Sequence, residues 1–182
     1  MTVAGFVEEK VAIPSGVRVT VEGGVITVAS MDTKLTRRLH HPRVAIKASK
    51  DEITVRCELP NRREKALVGT FASHIRNLIA GVTQGFRCEM KIVYSHFPMK
   101  LIVKDRRLVI ENFLGEKYPR KANIMGVTKV EPKGDQVFLT GPSIEDVGQT
   151  AANIERATKI RNLDPRVFQD GVYIVVKPGE AQ

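Results

Sequence analysis

Tryptophan is absent from this 182-residue sequence, and aromatic residues make up only 5% of it. A surface that binds unpaired bases by stacking needs a row of exposed rings, so the shortage argues against a single-strand platform. Cysteine is also scarce. Cys57 and Cys88 cannot build a disulfide framework, and their separation of 31 residues fits no zinc-ligand spacing. Both are expected as buried, reduced thiols, which points to a reducing compartment. Long apolar runs are missing as well: stretches such as Val172 to Val176 fall far short of the roughly 20 residues needed to cross a bilayer. Met1 to Pro14 carries Glu8, Glu9 and Lys10 and lacks a basic leader with an apolar core, so no signal peptide is expected there. A cytoplasmic protein without a membrane partner is the resulting expectation.

Catalytic motifs are lacking too. Gly115-Glu116-Lys117 has a glycine and a lysine, but no Gly-x4-Gly-Lys pattern surrounds it, and neither a nucleophile elbow nor a zinc-protease motif occurs. The histidines are His40, His41, His74 and His96. His74 falls one position off the apolar stripe of a predicted helix, which suits a helix-surface or RNA-facing residue better than a general base. No catalytic residue, cofactor or metal is therefore assigned.

Positive charge is what the sequence has in excess. Lys and Arg number 29 against 20 Asp and Glu, a net charge of +9 that calls for a polyanionic partner. With so few aromatics, a protein that grips phosphates and shape fits best. The surplus is shared: residues 1–82 carry 13 basic and 8 acidic side chains, and residues 83–182 carry 16 and 12.

One pattern is written twice. Val17, Val19 and Val21 alternate with polar residues, Glu22-Gly23-Gly24 breaks the run, and Val25 to Val28 resumes it, the signature of a hairpin. Leu101 to Val103, a polar turn and Leu108 to Ile110 repeat it. A basic segment follows each hairpin, then a polar turn and a strand (Ile53 to Cys57, Val137 to Leu139), and then a helix. In the first helix Asn61 and Glu64 form a capping box, and Leu67, Val68, Phe71, Ile75, Leu78, Ile79 and Val82 share a face. The second is capped by Ser143 and has Ile144, Val147, Ala151 and Ile154 as its stripe. Gly69 and Gly148 hold equivalent places in the two helices, which predicts close packing of each helix on its sheet. Each half closes with a glycine and a strand, at Gly85-Phe86 and Gly171-Val172. The expected fold is α+β: two similar tandem domains, 1–82 and 83–182, each an antiparallel sheet with one helix packed on it.

Short basic clusters at Arg37-Arg38, Arg62-Arg63, Arg106-Arg107, Lys117 with Arg120-Lys121, and Lys159 with Arg161 and Arg166 are expected at turns or helix ends, from which they can reach phosphates.

With the repeat and these clusters, the chain resembles the archaeal and eukaryotic form of ribosomal large-subunit protein six over essentially its whole length. The stretches that carry the match are Asn61-Arg62 through Ser73-His74 to Gly81-Val82-Thr83-Gln84-Gly85-Phe86-Arg87, Val93-Tyr94-Ser95-His96-Phe97-Pro98, Asn112-Phe113-Leu114-Gly115-Glu116-Lys117-Tyr118-Pro119-Arg120, and Arg166-Val167-Phe168-Gln169-Asp170-Gly171-Val172-Tyr173-Ile174. The resemblance implies a non-enzymatic constituent of the large ribosomal subunit that binds its rRNA mainly through the second domain. It further implies a place near the sarcin-ricin loop and the translation-factor site, with ribosomal proteins of the stalk base as neighbours. A free RNA-binding regulator or assembly factor is the alternative.

Carried over to this chain, the resemblance makes Lys117, Arg120, Lys121, Lys159, Arg161, Arg166 and Lys177 the expected phosphate contacts. Arg37, Arg62, Arg63 and His74 are weaker candidates for rRNA or for a neighbouring protein. Two positions depart from the family signature, which usually has Gln where Arg156 stands and a basic residue where Leu163 stands. No RNA contact is expected at 163, and Arg156 is expected to supply the charge instead. Asp170-Gly171 should shape the turn into the last strand, glycine tolerating backbone angles that other residues avoid. Tyr118 and Tyr173 either approach riboses or bases or, as the more ordinary alternative, pack into the core or a strand pair.

Overall fold

A computed structural model of the chain describes residues 5–180 apart from 32, 50, 96 and 165, so His96 lies outside the described residues. The chain divides into two units, Met1–Gln84 and Gly85–Gln182. The first contains β1 (Phe6–Ala12), β2 (Arg18–Glu22), β3 (Val25–Ala29), β4 (Lys34–Arg38), β5 (Val44–Ala48), β6 (Glu52–Glu58) and α1 (Arg62–Thr83). The second contains β7 (Phe86–Val93), β8 (Lys100–Lys104), β9 (Arg107–Glu111), a 3₁₀ turn (Phe113–Gly115), β10 (Arg120–Asn123), β11 (Lys129–Lys133), β12 (Gln136–Gly141), α2 (Ile144–Ala157) and β13 (Gly171–Val176). The class is α+β, with antiparallel pairing and the same plan used twice. No helix among the described residues is long and apolar enough to cross a membrane.

Each unit carries two sheets where one was expected. A meander, β2-β3-β4 in the first unit and β8-β9-β10 in the second, accompanies a second sheet ordered β1-β6-β5 or β11-β12-β7-β13. The split follows from the basic segments Lys34–Arg38 and Arg120–Asn123, which are not turns but third strands that finish the meanders. Arg37-Arg38 and Arg120-Lys121 therefore sit on strands, and their exposure alternates with period two: Leu35 with Arg37, and Arg120 with Ala122, lie on the more buried face, while Lys34, Arg38 and Lys121 face out.

The repeat also closes differently from its sequence pattern. β7 follows α1 in the chain, yet it pairs with β12 as β1 pairs with β6, so it opens the second repeat and does not close the first. β13 then adds to the outer side of β7 as a fourth strand. The first hairpin turns on Gly23 and Gly24, both at positive φ (56° and 79°). At the equivalent turn Asp105 and Arg106 take the same left-handed conformation (44° and 60°) without glycine, and Arg106 Nη2 is tied to the Gly126 carbonyl at 2.9 Å.

The core of the first unit is formed by Val68, Phe71, Ala72, Ile75, Ile79 and Val82 of α1 against Ile26, Val28, Ile53 and Val55, with Leu67 and Leu78 at its margin. A fully buried side chain of this kind contributes about 1.5–3 kcal/mol. Asn61 and Glu64 make the predicted capping box, Glu64 N to Asn61 Oδ1 at 2.9 Å and Asn61 N to Glu64 Oε2 at 2.8 Å. The buried Glu64 carboxylate is matched by Arg43 at 3.0 Å. In the second unit Val147, Ala151 and Ile154 of α2 are buried against β7 and β10.

The expectation for the two helix glycines is corrected. A Cβ on Gly69 would meet nothing within 4 Å, and one on Gly148 would lie 3.7 Å from the Pro178 ring, an ordinary contact. The stripe at Val68, Ala72 and Ile75 already seats α1, and Gly69 lies beside it. Cys57 and Cys88 are both buried and free, and burial, followed by the charge of Glu89, pushes the Cys88 thiol up to about 11.

Candidate nucleic-acid interface

The loop between β9 and β10 is built by backbone reversal. Asn112, Leu114 and Gly115 all have positive φ (60°, 50° and 74°), and the Phe113 ring between them is almost completely buried. Asn112 Nδ2 donates to the Pro98 carbonyl at 3.0 Å, and Glu116 N to the Phe113 carbonyl at 3.0 Å. These contacts fix where the chain leaves the turn. Lys117, Tyr118 and Pro119 then run through solvent, with Tyr118 86% exposed.

Arg120 anchors the far end. Its guanidinium stacks 4.1 Å above the Phe113 ring and takes the Glu116 carboxylate in a fork, Nε to Oε2 at 2.9 Å and Nη2 to Oε1 at 2.5 Å. Nη1 donates to the carbonyls of Ala157 and Lys159, each at 2.9 Å. An arginine engaged in this way has little left for a phosphate. Its charge and hydrogen bonds are directed into the protein, where they join the basic loop to the end of α2.

That end carries the second basic group. Arg156 occupies the last turn of α2, where a cation complements the helix dipole. Thr158 is buried, donates from Oγ1 to the Ile154 and Glu155 carbonyls at 3.3 and 3.2 Å, and accepts from Val172 N at 3.1 Å, pinning the helix end to β13. Lys159 and Arg161 follow, both exposed. Arg166 forks onto Asp164, whose carboxyl it holds below the usual range, while its own side chain stays 88% exposed. Arg156, Lys159, Leu163, Phe168 and Tyr173 line an open groove of about 600 Å³. Arg156 and Leu163 thus line the same groove, and Arg156 and Lys159 give it positive charge.

Lys121 is exposed at the start of β10, next to this assembly. Lys177 is not part of it. It follows β13, and the adjoining Pro178 and Gly179 pack near Gly148 and Ile144 in the N-terminal half of α2, a 14-residue helix about 20 Å long. Arg37, Arg62, Arg63 and His74 all belong to the first unit: Arg37 is half-buried on β4, Arg62 and Arg63 are exposed in the first turn of α1, and His74 is half-buried on α1. Two cations in a first turn oppose the helix dipole, and the capping box with Glu64 offsets them.

Space is tight at Gly171. Its φ is not in the left-handed region, but a Cβ there would lie 3.0 Å from the Tyr173 ring, whose hydroxyl donates to the Gln169 carbonyl at 3.2 Å. The buried Asp170 carboxylate accepts from Ser95 N and so ties the approach to β13 to the end of β7. Sequence reasoning missed Phe113 and Glu116 as the partners of Arg120; only the i, i+4 spacing of Glu116 and Arg120 hinted at the pair. Among the described residues no group of three or more His, Cys, Asp and Glu side chains is placed to hold a metal ion.

A family model for ribosomal protein L6 matches residues 13–85 and again residues 97–171. Among curated proteins, the chain is 50% identical to the large ribosomal subunit protein uL6 of Methanosarcina mazei over 167 residues, 92% of this chain and 95% of that one. It is 45% identical to the protein of the same name from Methanococcus vannielii, over 99% of each chain. For its counterpart from Archaeoglobus fulgidus the identity is 46%, over 95% of this chain and 91% of that one.

Proposed function

Since the chain belongs to the ribosomal protein L6 family, we propose that it is a constituent of the large ribosomal subunit, works there in the cytoplasm, and holds large-subunit rRNA chiefly through its second unit. The family is structural and not enzymatic. The finer placement near the sarcin-ricin loop, with stalk-base proteins as neighbours and translation factors close by, belongs to the same proposal.

One observation carries the RNA-binding part. Arg120 links the loop bearing Lys117 and the segment bearing Lys159 and Arg161 through hydrogen bonds to Glu116, Ala157 and Lys159. Cations on two separately anchored loops are thereby held in a fixed relation, which suits a partner with a fixed spacing of phosphates, such as folded RNA. Exposed Lys117, Lys121, Lys159 and Arg161 act as the phosphate contacts, with Arg156 and Arg166 beside them.

The test is incorporation. With Lys117, Lys121, Lys159 and Arg161 all changed to Glu, the full-length protein should fold normally by circular dichroism yet be missing from mature large subunits on a sedimentation gradient. The parent chain should co-migrate with those subunits in stoichiometric amount through a moderate salt wash. Normal incorporation of the variant would overturn the site assignment, and a parent chain found only off the subunit would favour a free regulator.

A further inference from the structure

Tyr118 is a large aromatic side chain that the fold itself scarcely uses. It is 86% exposed, surpassed among the described large hydrophobic residues only by Met31 at 97%. Its place in the chain is not loose, however. Glu116 and Arg120 close a five-residue loop around it with a two-bond fork, Phe113 anchors the stack beneath, and Pro119 fixes its own φ next to the ring. An aromatic ring held out on a preordered loop loses little conformational freedom when a partner arrives, so most of the contact energy is kept. Exposed Lys117 and Lys121 flank it.

We propose that Tyr118 is a stacking contact for a single unpaired nucleobase of the bound RNA, with Lys117 and Lys121 on the phosphates to either side. The inference rests on the RNA-binding function above and adds a ligand to it. The planar ring offers a face to the π-surface of any base, the phenol hydroxyl is free to pair with ribose or phosphate oxygens, and the flanking ammonium groups favour a nucleotide over an apolar protein patch. One ring cannot serve as a single-strand platform, which keeps the scarcity of aromatics consistent with this role: it reads one extruded base in an otherwise folded RNA.

The absence of tryptophan makes the test direct. Tyr118→Trp gives the full chain its sole indole, and the probes are a transcript of the large-subunit rRNA and a fully paired RNA duplex. The transcript should quench the indole emission and the duplex, at equal occupancy, should not. Tyr118→Leu should bind the transcript roughly 5- to 100-fold more weakly with an unchanged salt slope, and Tyr118→Phe should bind within about twofold of the parent. Transcript binding without quenching, equal quenching by the duplex, or a Leu variant that binds like the parent would each overturn the inference while leaving RNA binding intact. A parent chain that does not bind the transcript would overturn the RNA function itself, and this inference with it.

Discussion

The guanidinium of Arg120 grips the carboxylate of Glu116 from four residues away, in a fork with bonds of 2.9 and 2.5 Å. Together with the two carbonyl bonds to Ala157 and Lys159, this commits most of the Arg120 donors to the protein, and we propose that Arg120 positions the basic loop. Lysine cannot reproduce a planar fork with two further donors, so Arg120→Lys is not conservative here. The variant should lose about 1–3 kcal/mol of stability in urea unfolding. Its RNA affinity should also fall, but the slope of log affinity against log salt should stay the same, because no phosphate contact has been removed.

Acid should release the same staple. The hydrogen bond from Arg120, assisted by its charge and opposed by slight burial, holds the Glu116 carboxyl below its usual range. A depressed pKa in the folded state means that the unfolded chain binds the proton first. The stabilisation is therefore complete above the ordinary glutamate value of about 4.3 and is lost as the pH falls through the folded-state value. Glu116 is partly exposed, so the effect is local loosening more than global unfolding. Amide exchange, corrected for its intrinsic pH dependence, should accelerate at residues 116–121 and 157–159 below about pH 4, and Glu116→Gln should remove that pH step. Asp164, held low by Arg166, should loosen its own turn in the same direction.

The two helix glycines supply a test of opposite sign. With open space at Gly69 and only an ordinary contact to Pro178 at Gly148, alanine at either position should stabilise the protein by about 0.5–1 kcal/mol in chemical denaturation. A loss of stability would restore the tight helix-on-sheet contact that the shared position implies.

The helices were legible in the sequence because each carries its signals locally: Asn61 with Glu64, Ser143, and apolar residues at helical spacing predict α1 and the start of α2 to within a residue or so. The hairpins were legible through alternation and turns. What escaped was set by tertiary context. β1 reads Phe-Val-Glu-Glu-Lys-Val-Ala, whose alternation is too poor to announce the strand that β6 fixes by pairing. Lys34–Arg38 and Arg120–Asn123 looked like basic turns because charge hid their period of two. At the candidate interface the residue types were visible but not their assignments. Sequence marks Arg120 as a cation, and only the fold shows Phe113, Glu116 and two carbonyls converging on it. Likewise, nothing in the sequence separates Lys177 from the Arg156–Arg166 group, although α2 holds them at opposite ends.

The central claim, that the loops of the second unit supply the phosphate contacts, is tested most directly by the salt dependence of binding to a large-subunit rRNA transcript. Each phosphate contact on duplex-like RNA contributes about 0.9 to the slope, so changing Lys117, Lys121, Lys159 and Arg161 to Gln should flatten it by roughly 3 to 4. Changing Arg37, Arg62 and Arg63 in the first unit should alter it by about 1 or less. An unchanged slope in the second-unit variant, or a larger change in the first-unit variant, would contradict the account.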